Sequence, residues 1–315
     1  MEIKEESAGA DGLADDMTEP QAGAIETIYS HWEAERAAVS SNGLRQNGSP
    51  GRETEAYGAV ISGGSAAGLS LALALADASA GQMRIALVER SWPPMAIRGD
   101  VRAYAFSAAS RHMLTVLQVW DEIAPVAQEV RRIEITDSSL NDGVRPVILT
   151  YDNATETGEP ATHIVPGEAI VAALAVRIGD YPSIERFAPD EITGFGLDDT
   201  GVAVGLTNGR TLRGRVLVSA EGRQSSLRQM AGIKTIGWGY EQTGIVTIVA
   251  HERPHEGTAV QHFLPAGPFA ILPLPQDHAC ITWSEDARRG TEIMAMDAEH
   301  FRQELALRFG HRLGD

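Results

Sequence analysis

The chain has 315 residues, of which 43% are hydrophobic and 22% are charged. These values are typical of globular proteins and exclude a fibrous or fully disordered chain, and the length predicts about two domains. The net charge is −17, from 43 acidic and 26 basic residues, which disfavours nucleic-acid binding because such a surface repels phosphate backbones. Cys280 is the single cysteine and cannot form an internal disulfide, which indicates a reducing, cytoplasmic compartment.

Residues 1–56 form an acidic leader with twelve acidic and four basic side chains and few branched apolar ones. Such a composition cannot bury enough apolar surface to offset the entropy of ordering, so we predict a mostly disordered segment. One short helix over 25–39 is compatible with the helical spacing of its apolar residues. No signal peptide is predicted, because residues 1–6 are acidic where a signal peptide is positively charged.

An uncharged run of twenty residues, 57–76, is long enough to suggest a membrane helix. A β-turn-α-β unit explains it better, because glycines interrupt the run after six residues. We predict a strand over 57–62, a helix over 69–78 and a second strand over 83–89.

The turn of this unit reads Gly63-Gly64-Ser65-Ala66-Ala67-Gly68. It matches the dinucleotide fingerprint G-x-G-x-x-G at its first and last glycines and has Ser65 at the middle one. The first glycine permits the tight turn, the middle one lets the backbone approach a pyrophosphate, and the last lets the helix pack on the strand. Since serine is small, we expect weaker phosphate binding rather than its loss. The start of the helix, at Ala67 and Gly68, presents the positive end of its dipole to the phosphates.

Glu89 ends the predicted second strand about twenty residues after the turn, where an acidic side chain accepts hydrogen bonds from a ribose. Arg90 follows it and is assigned to the same site.

Two further segments predict loops that face phosphate groups. Residues 100–107, DVRAYAFS, precede an amphipathic helix over 110–123. Arg102 is either a solvated surface charge or, just beyond the ribose-binding strand, a partner for a pyrophosphate. After an apolar strand over 215–219 the chain reads AEGRQSSLR, a glycine-containing turn ahead of a helix.

These segments resemble the class A flavoprotein aromatic monooxygenases, and specifically the ubiquinone-biosynthesis hydroxylases of the UbiH type. The resemblance runs from Tyr57 to Asp315. It rests on the glycine turn, on DVRAYAFS and AEGRQSSLR, and above all on residues 239–274, GYEQTGIVTIVAHERPHEGTAVQHFLPAGPFAILPL, a segment specific to this family.

The resemblance implies an α/β fold in which a Rossmann-like FAD-binding domain is interleaved with a β-sheet substrate domain, as in p-hydroxybenzoate hydroxylase. The implied FAD-binding domain covers 57–130 and 166–232, and the implied substrate domain covers 131–165 and 233–300. Residues 301–315 would begin a segment that returns to the FAD-binding domain. Because members of the family usually continue well beyond this point, into a Gly-Asp motif beside the flavin ring, we expect a chain that lacks its C-terminal segment.

The resemblance also implies the site. The glycine turn and Glu89 would hold the adenosine half of FAD, and Arg102 would lie near the cofactor. A second motif would contact FAD and help admit NAD(P)H through Glu221, Gly222, Ser225 and Arg228. The family has aspartate where this chain has Glu221, which keeps the charge and lengthens the side chain by one methylene.

The implied reaction is hydroxylation of the aromatic ring of a polyprenylated phenol in ubiquinone biosynthesis, with NAD(P)H and O₂ as co-substrates. Partners would be that substrate, O₂ and an assembly of biosynthetic proteins, with at most peripheral contact with the inner membrane. No catalytic residue is assigned, although His255, His262 and Tyr240 can titrate or form hydrogen bonds. Two alternatives stay open: a truncated non-catalytic remnant that acts as a binding partner, and a nicotinamide-dependent dehydrogenase.

Residues 251–255 spell H-E-x-x-H, the zinc-protease motif, which requires both histidines on one face of a helix. Pro254 lies inside that turn and the preceding residues alternate as in a strand. We therefore predict no helix and no metal site here.

Overall fold

The computed structural model describes residues 56–92, 101–140, 142 and 145–314. The predicted disordered leader and its helix over 25–39 lie outside these residues. The described residues divide into two compact units, one within residues 1–100 and 171–227 and the other within residues 101–170 and 228–315. Residues 101–130, expected in the FAD-binding domain, group with the second unit. The predicted domain boundaries stay a prediction.

Seventeen strands occur in the described residues: β1 (Ala56–Tyr57), β2 (Ala59–Ser62), β3 (Ile85–Val88), β4 (Ala103–Ser107), β5 (Gln128–Val130), β6 (Arg132–Asp137), β7 (Val147–Asp152), β8 (Thr162–Pro166), β9 (Ile184–Phe187), β10 (Ile192–Asp198), β11 (Gly201–Leu206), β12 (Thr211–Gly214), β13 (Leu217–Ser219), β14 (Gln242–Ala250), β15 (Thr258–Leu264), β16 (Gly267–Leu274) and β17 (His278–Asp286). The same residues contain seven α-helices: α1 (Ala66–Ala78), α2 (Ala108–Val116), α3 (Trp120–Ile123), α4 (Gly167–Ile178), α5 (Ser226–Met230), α6 (Ala287–Met294) and α7 (Ala298–Phe309).

The first unit contains a parallel sheet with the strand order β13-β2-β3-β9. Every residue of β2 and β3 is buried, which is why these strands read as continuous apolar runs rather than as alternating ones. A second sheet, with the order β1-β12-β11-β10, belongs to the same unit. Side chains of both sheets share one apolar core that includes Tyr57, Val60 and Phe187.

The predicted β-turn-α-β unit is confirmed. Helix α1 begins at Ala66, three residues before the predicted start, and buries one face through Gly68, Leu69, Ala72, Leu73 and Ala76. The uncharged run is thus divided among two strands, a turn and a helix of thirteen residues. No helix in the described residues combines the length and the apolar character needed to cross a bilayer.

The second unit contains a six-stranded sheet with the order β14-β17-β16-β15-β6-β7. Among the described strands of this sheet, β15 and β6 pair in parallel and the other neighbouring strands pair antiparallel. Phe269 and Trp283 lie at the centre of its core, and Ile293 of α6 and Leu305 of α7 pack against them. The β-sheet that the resemblance implies within residues 233–300 is therefore present, as strands β14 to β17.

The helix predicted over 110–123 is wrong in its extent. Helix α2 ends at Val116 and α3 forms a separate short turn. Gln118, between them, has a φ of 57°, a left-handed conformation that interrupts a right-handed helix.

A buried ion pair joins α7 to β17. The Arg308 guanidinium lies 2.8 Å from the Glu285 carboxylate and 4.2 Å from the centre of the Trp283 ring, and both charged side chains are almost fully buried. Arg308 also contacts Glu304, 2.7 Å away on its own helix. The charges thus have partners inside the core of the second unit.

Candidate functional site: a cavity at the ends of parallel strands

A cavity of about 410 Å³ lies in the first unit at the carboxyl ends of β2, β3 and β13. Its lining includes the turn after β2, the residues after β3 and the turn after β13. Ligands of open parallel sheets bind at this edge, because the loops that follow neighbouring strands converge there. The cavity is lined by Ser62, Gly63, Ser65, Val88, Glu89, Arg90, Asp190, Glu191, Ile192, Ala220, Glu221, Gly222, Gln224 and Ser226.

Two positions of the glycine turn require glycine for steric reasons. Gly63 has a φ of 106°, and a Cβ there would lie 2.5 Å from the carbonyl oxygen of Ala220. A Cβ on Gly68 would lie 1.8 Å from the carbonyl oxygen of Gly63. The packing roles predicted for the first and last glycines therefore agree with the geometry, whereas their contact with a cofactor stays a prediction.

Ser65, the departure from the fingerprint, is the N-cap residue of α1. Its φ of −82° is one that any residue adopts, so the backbone conformation does not require glycine here. The exposed Ser65 side chain makes no capping hydrogen bond, and the first turn of α1 carries no acidic residue. The first backbone N–H groups of a helix have no partner within it, so they remain available to an anion.

Glu89 follows β3 and folds back over the glycine turn. Its Oε2 accepts a hydrogen bond of 2.5 Å from the backbone N–H of Gly64. A carboxylate offers about four acceptor positions, so capacity remains for the ribose hydroxyls predicted from the sequence. Arg90, also at the cavity, lies 3.5 Å from the carboxylate of Glu191, and both of these side chains are largely exposed.

Glu221 is held by a group of hydroxyls in the turn after β13. Its carboxylate accepts hydrogen bonds from Ser62 at 2.7 Å, from Ser225 at 2.8 Å and from the Leu227 N–H at 3.0 Å. Burial alone would raise the pKa of Glu221, but these hydrogen bonds, with that from Ser226, outweigh it and lower the pKa. Gly222 has a φ of 74°, which favours glycine. The turn after β13 is therefore held against the end of β2 by the hydrogen bond between Glu221 and Ser62.

Asp190 is a cavity residue that the sequence reading missed. Its buried side chain accepts hydrogen bonds from the Thr207 hydroxyl at 2.5 Å and from the Glu191 N–H at 2.9 Å. Its own N–H donates to the carbonyl oxygen of Glu89 at 2.9 Å. The signal was the Pro189-Asp190 pair, one residue after the short strand β9, whose end meets the same edge of the sheet.

Arg102 and Arg228 are not among the residues that line this cavity, and both belong to the second unit. The Arg102 guanidinium lies 5.9 Å from the centre of the Tyr104 ring, and its carbonyl oxygen accepts a hydrogen bond from Gly167. Arg228 lies in α5, where its carbonyl oxygen accepts from Ile233. Their cofactor roles stay predictions.

The two candidate histidines, His255 and His262, are engaged in structural hydrogen bonds. His262 Nδ1 lies 2.6 Å from the Thr136 hydroxyl, and the ring stacks on Phe269. Burial and then the charges of Arg145 and Arg312 lower the pKa of His262 to about 4. His255 accepts from the Gly257 N–H and lies 2.7 Å from the Leu274 carbonyl oxygen.

The H-E-x-x-H segment follows strand β14 and forms no helix, as predicted. The rings of His251 and His255 pack edge to face with centroids 5.6 Å apart. Across the part of the chain that the structure describes, no group of three or more His, Cys, Asp or Glu side chains is arranged to hold a metal ion.

Residues 56–314 match the model of the FAD binding domain family. This chain belongs to that family. The cavity fits the adenosine half of FAD, because it combines an uncapped helix start for the pyrophosphate with a carboxylate for the ribose. FAD is thus the cofactor of the family to which this chain belongs.

Two curated relatives are ubiquinone hydroxylases, which confirms the resemblance to ubiquinone-biosynthesis hydroxylases. Ubiquinone hydroxylase UbiL of Rhodospirillum rubrum is 37% identical over 257 residues, covering 81% of this chain and 58% of that protein. The 3-demethoxyubiquinol 3-hydroxylase of Escherichia coli is 28% identical over 259 residues, covering 81% and 64%. The chain therefore spans less than two thirds of the length of either relative.

The crystal structure of PqsL from Pseudomonas aeruginosa in complex with 2-aminobenzoylacetate has the same fold. It superposes with a TM-score of 0.69 at 20% identity, covering 80% of this chain and 67% of that one. The interleaved α/β fold expected from the resemblance is confirmed.

Proposed function

We propose that this chain serves an FAD-dependent monooxygenase that hydroxylates the aromatic ring of a polyprenylated phenol in ubiquinone biosynthesis, with NAD(P)H and O₂. The observation that carries the proposal is the cavity at the ends of β2, β3 and β13, in a chain related to two ubiquinone hydroxylases. A dinucleotide cofactor requires such a cavity at the carboxyl ends of parallel strands.

Three lining residues, Glu89, Glu221 and Gly222, and the adjoining helix start have roles in this proposal. The N-terminus of α1, at Ala67 and Gly68, holds the pyrophosphate, and Glu89 accepts hydrogen bonds from the adenosine ribose. Glu221 holds the turn at Gly222 against β2, so that this backbone faces the cofactor. When bound, FAD supplies the electron-transfer and oxygen-transfer chemistry that side chains lack.

The second unit supplies the substrate-binding part of the proposal. Its six-stranded sheet exposes apolar side chains, including Ile248 and Phe263, that suit contact with an aromatic ring. A prenyl tail is a lipid-like group that is delivered from a bilayer. Peripheral contact with the inner membrane and association with other ubiquinone-biosynthesis proteins belong to the same proposal.

Cofactor content and product labelling test the proposal. The purified chain is incubated with FAD, NAD(P)H, a short-tailed prenylphenol and ¹⁸O₂, and the product is analysed by mass spectrometry. We expect bound FAD, NAD(P)H oxidation stimulated by the phenol, and one ¹⁸O atom in the product.

Each of the two alternatives has its own result in the same experiment. Bound FAD without turnover would favour the non-catalytic remnant. Oxidation or reduction of a substrate with NAD(P)H in a folded chain that binds no flavin would favour the dehydrogenase.

A further inference from the structure

The segment 228–240, which joins α5 to β14, exposes a group of large apolar side chains. The exposed fractions are 45% for Met230, 62% for Ile233, 95% for Ile236, and 75% for both Trp238 and Tyr240. Contiguous exposed apolar groups of this kind mark contact sites rather than ordinary protein surface.

Gly237 and Gly239 of this segment have open space on the side to which a side chain would point. A Cβ placed on Gly237 or Gly239 would meet no atom within 4 Å. Residues 233–240 form no helix or strand, and Ile236, Trp238 and Tyr240 occupy alternate positions. Because these three exposed side chains lie within five residues, they can enter one apolar phase together.

The charge of the segment is opposite to that of the whole chain. Residues 228–240 carry Arg228 and Lys234 and no acidic residue, whereas the chain has a net charge of −17. Trp and Tyr concentrate at membrane–water interfaces, where a ring contacts the acyl boundary and its polar group stays hydrated. Basic residues beside them add attraction to anionic headgroups.

We propose that the 228–240 segment is a peripheral membrane contact, in which Ile236, Trp238 and Tyr240 enter the headgroup region of an anionic bilayer and Lys234 pairs with lipid headgroups. This inference rests on the proposed function, since a polyprenylated substrate resides in the bilayer. A second copy of the chain fits less well. A stable protein interface takes roughly 20–30 residues a side, and the segment supplies five large apolar side chains.

Vesicle flotation tests the proposal without requiring flavin or turnover. The chain is mixed with vesicles of phosphatidylcholine and phosphatidylglycerol, and its partition coefficient is measured. We expect binding, and a loss of about tenfold or more in the double variant Ile236→Ser/Trp238→Ser, because two interfacial side chains are removed. We expect Lys234→Glu to reduce binding to these vesicles but not to vesicles of phosphatidylcholine alone.

Strand β7 provides the matched control. It lies at the opposite edge of the six-stranded sheet from β14 and also exposes apolar side chains, including Ile148 at 62%. We expect Ile148→Ser to leave vesicle binding unchanged. Equal losses in Ile148→Ser and Ile236→Ser would overturn the assignment to the 228–240 segment.

Fluorescence separates the other occupants of this surface. The emission lost in Trp238→Ser is that of Trp238, and we expect it to shift to shorter wavelength when vesicles are added. An emission already typical of a buried indole without vesicles, or a concentration-dependent dimer that Trp238→Ser dissociates, would overturn the proposal. Because FAD content is measured separately, loss of vesicle binding in a flavin-loaded chain contradicts this inference alone.

Discussion

Among the described glycines, Gly68 leaves the least room for a side chain. Even alanine would place a Cβ 1.8 Å from the Gly63 carbonyl oxygen, and this atom is backbone that cannot swing aside. We predict that Gly68→Val separates α1 from the turn after β2 and abolishes FAD binding, measured by titration of the folded variant with FAD.

Gly196 provides the control for this substitution. It lies in β10 of the same unit, and a Cβ there meets no atom within 4 Å. We expect Gly196→Ala to bind FAD like the unsubstituted chain. Normal FAD affinity in a folded Gly68→Val variant would show that this turn does not hold the cofactor.

Glu221 makes stability depend on pH. Because its pKa is lowered in the folded chain from an ordinary value of 4.5, its ionised form stabilises the fold above that pH, and the stabilisation is lost as the pH falls through the lowered value. We predict that Glu221→Gln lowers the free energy of unfolding by about 1 kcal/mol at pH 7, at the low end for charged hydrogen bonds because the group is partly solvated.

Denaturant unfolding at pH 7 and at a pH below 4.5 checks this prediction. The difference between Glu221→Gln and the unsubstituted chain should shrink at the lower pH. Glu221→Asp keeps the charge and shortens the reach, so we expect an intermediate effect. A difference independent of pH would indicate that the carboxylate charge is not what these hydroxyls stabilise.

At the scale of elements, the ion pair between α7 and β17 is the contact most sensitive to substitution. Arg308→Met would leave Glu285 charged and buried without its cationic partner. Among the described residues, only the N–H groups of Trp283 and Asp286 would then donate to it. We predict a loss of about 3–5 kcal/mol in the free energy of unfolding, measured by denaturant titration.

Arg289 on α6 is the matched control for Arg308. It pairs with Glu292 and Glu304 but is more than a third exposed. We expect Arg289→Met to cost only about 0–1 kcal/mol, as exposed ion pairs do. Similar losses in the two variants would contradict the claim that burial makes the Arg308 contact important.

The segment 251–255 illustrates why residue letters alone do not define an element. The motif H-E-x-x-H needs a helix, but β14 ends only at Ala250 and Pro254 cannot donate a backbone hydrogen bond. Pro254 and the alternating residues before 251 correctly predicted that this segment forms no helix. The extent of α2 was predicted less well, because the left-handed conformation of Gln118 has no glycine or proline signal.

At the scale of the whole molecule, each unit has its own apolar core. Chains with separate cores often do not unfold in a single two-state transition. We predict two calorimetric transitions, of which saturating FAD raises only that of the first unit. At a concentration of FAD 100 times its dissociation constant, the free energy of unfolding of the first unit rises by about 2.7 kcal/mol.

The Arg308→Met variant assigns these transitions. It should lower the transition that FAD does not raise, because its contacts all lie in the second unit. A single transition that both FAD and Arg308→Met shift would mean that the two units unfold together.

The sequence by itself determined the family, the β-turn-α-β unit and the positions of Gly63, Gly68 and Glu89, because these depend on local spacing and on the steric demands of one turn. Tertiary structure alone decided that Asp190 joins the cavity and that Glu221 binds Ser62, 159 positions away in the chain. Arg102 and Arg228 belong to the second unit, and their cofactor roles stay predictions. The physical reason is that parallel strands bring distant loops to one edge of a sheet, and the strand order that does so is set by packing across the whole unit rather than by neighbouring residues.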